Sequence, residues 1–148
     1  MTDEQYFRSA VSGRSVIVAD ERDSVWAYLT EPGSVRPQRD CWLFNKPTAA
    51  ATPDLNVYRA ESLPPPAPAS EIDAAGVLDT SRPVRWNVRW SADGEAALIV
   101  VDDEAVGVVA AREPSGISRH LISAGPWGRP WDAQLVARLG LNVRSHLS

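Results

Sequence analysis

The chain has 148 residues, 44% of them hydrophobic, with six tryptophans and a formal net charge of −4. This is the size and composition of one folded domain with a hydrophobic core, and it excludes a disordered chain. The acidic balance, with a sequence pI of about 5.1, argues against general nucleic-acid binding and against an anionic membrane surface, both of which call for a basic excess.

The opening "MTDEQYFRSA" has no charged-then-apolar signal layout, and no apolar run reaches membrane-spanning length, so a cytoplasmic protein is expected. The first predicted strand is Ser15 to Ala19, "SVIVA". It leads through the polar cluster "DERDS" into a second, Val25 to Thr30, "VWAYLT", as a hairpin. A turn-rich stretch with Pro32, Gly33 and Pro37 separates these from a third strand, Cys41 to Asn45, "CWLFN". Period-two spacing puts Trp26 with Tyr28 on one face of the second strand and Trp42 with Phe44 on one face of the third.

Residues 46–83 form a long Pro/Ala-rich loop within the single domain 1–148. The run Pro64, Pro65, Pro66 with Pro68 favours a polyproline II conformation and reads as a stiff surface connection. "SEIDAAG" from Ser70 to Gly76 predicts one or two helical turns, with Ser70 as N-cap.

The next strand is Val84 to Trp90, "VRWNVRW". Its valines and tryptophans share the core face, and Arg85, Asn87 and Arg89 share the other. Asp93-Gly94 marks a hairpin into Ala96 to Val101, "AALIVV", and a second turn at Asp102 to Glu104 leads into Ala105 to Ala111, "AVGVVAA". Both runs are apolar at successive positions, so both of their faces must be covered by a second sheet, a helix or another subunit. A further strand is expected at Ile117 to Ser123. Then comes a helix over "WDAQLVARLG", with Pro130 at its start, Asp132 in its first turn and Gly140 after its end. Trp131, Leu135 and Leu139 form its apolar stripe, which should dock on the sheet.

The fold class is therefore mainly β: an antiparallel sheet, small sandwich or half-barrel of six or seven short strands with one C-terminal α-helix. "VRWSADGEAALIVVDDEAVGVVAARE" resembles the hallmark segment of a family of small bacterial β-rich proteins classed as a domain of unknown function. The resemblance is strongest over residues 84–112. It is weaker over 15–45, where "VIVADERDSVWAYLT" and "DCWLFN" resemble the family's first hairpin and third strand. The chain departs from the pattern at Gly107, Val108 and Val109, and again after Ile117. The resemblance implies a compact bacterial β fold and carries no activity with it.

Catalytic chemistry is thinly represented. The only histidines are His120 and His146, and no G-x-S-x-G elbow supplies a nucleophilic serine; Ser115 belongs to a Pro-Ser-Gly turn. Cys41 is a lone cysteine in an apolar strand, which reads as a buried thiol. The acidic groups Asp20, Glu21, Asp23 and Asp102, Asp103, Glu104 lack the alternating pattern of a calcium loop and read as solvated turns. No catalytic residue, metal ligand set or cofactor is assigned. Arginine supplies nearly all the positive charge, Lys46 being the only lysine. That bias fits either GC-rich coding or bidentate recognition of acidic groups.

The expected function is a non-catalytic binding or interaction protein. Its two forms are an immunity-type toxin-neutralising protein and a homodimeric module, with a protein partner or self-association through Arg85, Asn87, Arg89, Trp127 and Trp131. The alternative is a small-molecule-binding β protein or small enzyme whose site combines loop carboxylates with Arg85, Arg89 and His120.

Overall fold

Four strands, β1 (Asp3–Arg8), β2 (Ser15–Asp20), β3 (Ser24–Thr30) and β4 (Pro37–Asn45), form an antiparallel meander in the order β1-β2-β3-β4. The computed structural model describes residues 3–141, so His146 lies outside the described residues. Alternation divides the sheet as far as Leu43. Val16, Val18, Val25, Ala27, Leu29, Cys41 and Leu43 face the interior, while Trp26 and Trp42 face outward. Trp26 and Tyr28 do share the outer face and stack with ring centroids 6.4 Å apart.

Trp42 and Phe44 do not share a face. The β3–β4 register shifts between Val25 and Trp26, which oppose Phe44 and Trp42 respectively, leaving Leu43 as an extra residue on β4. A bulge of this kind breaks the period-two rule. It turns Phe44 into the interior beside Leu43 and leaves Trp42 outside. Single-strand periodicity carries no trace of such a shift, because the bulge is a property of the pair.

The second sheet runs β5 (Trp86–Trp90), β6 (Ala96–Val101), β7 (Glu104–Ala110), β8 (Ile117–Ser118) and β9 (Arg129–Pro130), with β8 and β9 parallel and the rest antiparallel. Its hairpins follow from the turn residues. Gly94 takes the positive φ (70°) that closes β5 to β6. Asp102 and Asp103 hold positive φ (46° and 67°) in the two-residue turn between β6 and β7, the primed geometry that matches strand twist. Against expectation, β8 ends at Ser118, because the chain then turns and gives the His120 carbonyl to the Asp73 N–H at 2.9 Å. β1 and β9 are strands the sequence pattern does not announce.

The two sheets face each other across one core, in which Trp86, Ala97, Ile99, Val101, Val106 and Val109 meet the interior residues of the first sheet. Arg14 ties the sheets at one end: its guanidinium donates to both Glu95 carboxylate oxygens at 3.0 and 3.1 Å. β6 is buried along its whole length and β7 from Ala105 onward. Their second face is covered by α2 (Ala133–Arg138), whose Leu135 and Val136 pack on Leu98, Val100 and Val108, with Trp131 and Leu139 alongside. The apolar stripe thus docks on the sheet. Asp132 caps this helix, accepting from the Gln134 and Leu135 N–H groups, instead of lying in its first turn.

The outer face of the first sheet is covered at its β3–β4 side. There Ala67, Leu121 and Trp127 bury Trp26 and Trp42, with Ile72 packed alongside. Asn45 fastens this cover. Its Oδ1 accepts from the Trp42 indole (2.9 Å) and the Ala67 N–H (2.8 Å), and its Nδ2 donates to the Ala67 carbonyl (2.7 Å). Residues 46–83 also contain a short helix α1 (Leu55–Ala60), capped by Asp54. Ser70 caps nothing: the 70–76 stretch makes two 3-10 turns, Ala69–Glu71 and Ala74–Gly76, without side-chain caps.

Candidate interaction surface

The residues expected at a contact surface fall in three places. Arg85, Asn87 and Arg89 lie on β5 or at its start, with their backbones turned toward β6 and their side chains away from the Trp86 face. Arg85 exchanges backbone bonds with Asp102: its N–H donates to the Asp102 carboxylate (2.8 Å) and its carbonyl accepts the Asp102 N–H (2.9 Å). The Asp102 carboxylate also takes Arg82 at 3.3 Å, so this acidic turn organises the start of β5. An open cavity of about 440 Å³ lies here, lined by Pro83, Val84, Arg85, Asp102 and Asp103. Arg89 is half-buried and partnered.

Trp127 is buried over the first sheet, where its carbonyl accepts the Trp42 N–H at 3.1 Å. Trp131 lies on the opposite side of the sandwich. The Arg119 guanidinium sits 4.4 Å from its ring centroid, at the mouth of a cavity of about 300 Å³ beside α2.

His120 is buried at the end of the sandwich, against the Phe44 ring, with its Nδ1 3.0 Å from the Asp73 carboxylate. Together with the Asp73 N–H bond to its carbonyl, this pair pins the 3-10 segment onto the sheet edge. Arg85 and Arg89 are elsewhere, on the second sheet's far edge strand. Burial pushes the Cys41 thiol well above its ordinary range, with Asp40 adding to the shift, and the thiol donates to the Ile117 carbonyl at 3.2 Å. A thiol so held is a core group. Asp23, which sequence groups with a solvated turn, is instead nearly buried and accepts from Tyr58 (2.6 Å) and Thr48 (2.7 Å).

Sheet edges are the other place where a β protein offers unpaired polar groups. The β4 edge is closed by the chain itself: Trp42 donates to Trp127, Gly116 to Asp40 and Leu78 to Asn45. β9 is two residues long and ends in Pro130. On β5, Ser91 donates to Ala96 and Asp102 to Arg85, so odd-numbered residues bond β6 and the N–H groups of Trp86, Val88 and Trp90 point outward. The Val88 N–H is taken by the Asn87 Oδ1 at 2.8 Å. Asn87 therefore blunts its own edge.

β1 has none of these devices. It pairs with β2 over six consecutive residues without a register shift, and it contains no proline or glycine. Ser9 donates to Arg14, so Phe7, Gln5 and Asp3 bond β2, and the backbone groups of Glu4, Tyr6 and Arg8 point out of the sheet. Among the described residues nothing bonds them. Their side chains share the outer face, where Tyr6 is 53% exposed and its hydroxyl donates to Glu4 at 2.9 Å. Sequence reading misses β1 because only Phe7 of its six residues packs on the core, which leaves no alternating pattern to detect. Only Tyr6 and Phe7 of the stretch favour a strand, and its one readable signal is the absence of proline and glycine.

No helix among the described residues is long and apolar enough to cross a membrane, and no group of three or more His, Cys, Asp or Glu among them is placed to hold a metal ion. No family model, curated protein or solved structure matches the chain.

Proposed function

We propose that this is a non-catalytic binding protein that works by protein–protein association through the β1 edge of its first sheet. The observation that carries the reading is the unequal finish of the sheet edges. The β4 and β9 edges are closed or shortened and the outward row of β5 is interrupted at Val88 by Asn87, whereas β1 presents an uninterrupted row of outward N–H and C=O groups. Such an edge accepts a further strand, and main-chain bonding supplies the affinity. Two exposed valines extend the surface beyond the end of β1: Val11 in the β1–β2 turn (71% exposed) and Val35 in the β3–β4 turn (66%). The Gly33 N–H bond to the Gly13 carbonyl at 2.8 Å ties those turns together. Immunity-type neutralisation of a toxin and a homodimeric module are both forms of this activity.

The test is a photo-crosslinking residue in place of Tyr6 in the full chain, expressed in cells, with Asn56 on exposed α1 as the control position. The expected result is a discrete protein adduct from position 6 and none from position 56. Equal labelling at both positions, or no adduct at position 6, overturns the reading.

A further inference from the structure

We infer that the occupant of the β1 edge is the β1 strand of a second copy, joined across a two-fold axis into one continuous eight-stranded sheet. The inference rests on the edge reading above and adds the partner and the register. A two-fold axis normal to a sheet keeps each side chain on its face, so residues facing each other across the junction must have the same parity. They must also be residues whose backbones point outward, which on β1 are Glu4, Tyr6 and Arg8. Within Asp3–Arg8, one register uses all three on both strands: Tyr6 opposite Tyr6 of the second copy, with Glu4 opposite Arg8 at each end.

That register forms about six main-chain hydrogen bonds, two for each facing pair. It also sets a carboxylate against a guanidinium twice, on a strand whose other outward side chain is the neutral Tyr6. Opposite charges directly across a strand pair are favourable, and like charges there are unfavourable. The strand is thus complementary to its own reverse. On the inner face the same register brings Gln5 opposite Phe7 and leaves Asp3 beyond the paired residues 4–8.

The experiment is light scattering on the full chain across a concentration series from about 1 μM to about 1 mM. The expected species at the upper end has twice the 16.1 kDa chain mass. Arg8→Glu alone and Glu4→Arg alone should each weaken association by about tenfold or more, because each sets like charges together at both ends of the junction. The double variant Glu4→Arg with Arg8→Glu should restore association to within about threefold of the parent, since it exchanges the partners without changing the pairing. Tyr6→Pro removes an outward N–H while leaving the β1–β2 bonds in place, and it should abolish the dimer. If that variant fails to fold, the charge exchange still decides. A monomer throughout the series, or a dimer indifferent to both single charge reversals, overturns the inference. The crosslinking result separates this from the edge reading: an adduct at twice the chain mass supports both, whereas an adduct with a different protein alone keeps the edge and removes the second copy.

Discussion

The strands β1 and β5 both begin a sheet, both stand at its edge, and are finished in opposite ways. β5 is held by side chains: Trp86 is buried in the core against the Phe44 ring (6.1 Å), and Val88 and Trp90 pack beside it. Its outward backbone is blunted by Asn87. β1 is held mainly by its backbone ladder to β2 and sends only Phe7 to the core. An edge strand that is well anchored and capped is a finished boundary. One that is lightly anchored and bare is a surface prepared for a further strand.

The largest expected effect tests the anchoring of β5. Trp86→Ala should cost about 3–5 kcal/mol of folding stability in chemical denaturation. A loss under about 1 kcal/mol would remove Trp86 from the core and erase half of the contrast. Next comes the closed β4 edge. Asn45→Ala strands the Trp42 indole and both backbone groups of Ala67 in a buried site, and a loss of about 2–3 kcal/mol should follow. A near-neutral result would mean that the proline-rich cover is dispensable to the first sheet.

Smaller effects separate the two edges themselves. Asn87→Ala should change stability by about 0.5 kcal/mol or less, yet speed amide exchange at Val88, whose N–H loses its acceptor. If exchange at Val88 were unchanged, the cap would not be what closes β5. Tyr6→Ala should be the smallest of all, within about 0.5 kcal/mol for the dilute chain, since the side chain is exposed and bonds only Glu4. A large loss would show that β1 is anchored like β5 after all.

Much of this contrast was legible from residue order, and the illegible part has definite causes. The valines and tryptophans of "VRWNVRW" do face the core, because strand alternation fixes them once Asp93-Gly94 sets the hairpin. "AALIVV" and "AVGVVAA" demanded cover on both faces and have it, from the first sheet and from α2. Single-strand alternation pairs Phe44 with Trp42, whereas the bulge, created by two strands together, turns Phe44 inward. The polar row Arg85, Asn87 and Arg89 does not reveal in sequence which member bonds locally; the Asn87 Oδ1 accepts the next N–H in the chain. The surface proposed for association was the least visible, since an edge is defined by bonds that are not made.

The most direct measurement is amide hydrogen exchange of Tyr6 and Val88 in the full chain at low and high concentration. Val88 should be protected equally at both, through Asn87. Tyr6 should exchange freely when dilute and become protected on concentration as its N–H enters a new strand pair. Free exchange of Tyr6 at both concentrations, or protection of Tyr6 already in the dilute monomer, would show that β1 is not an edge that takes up a further strand.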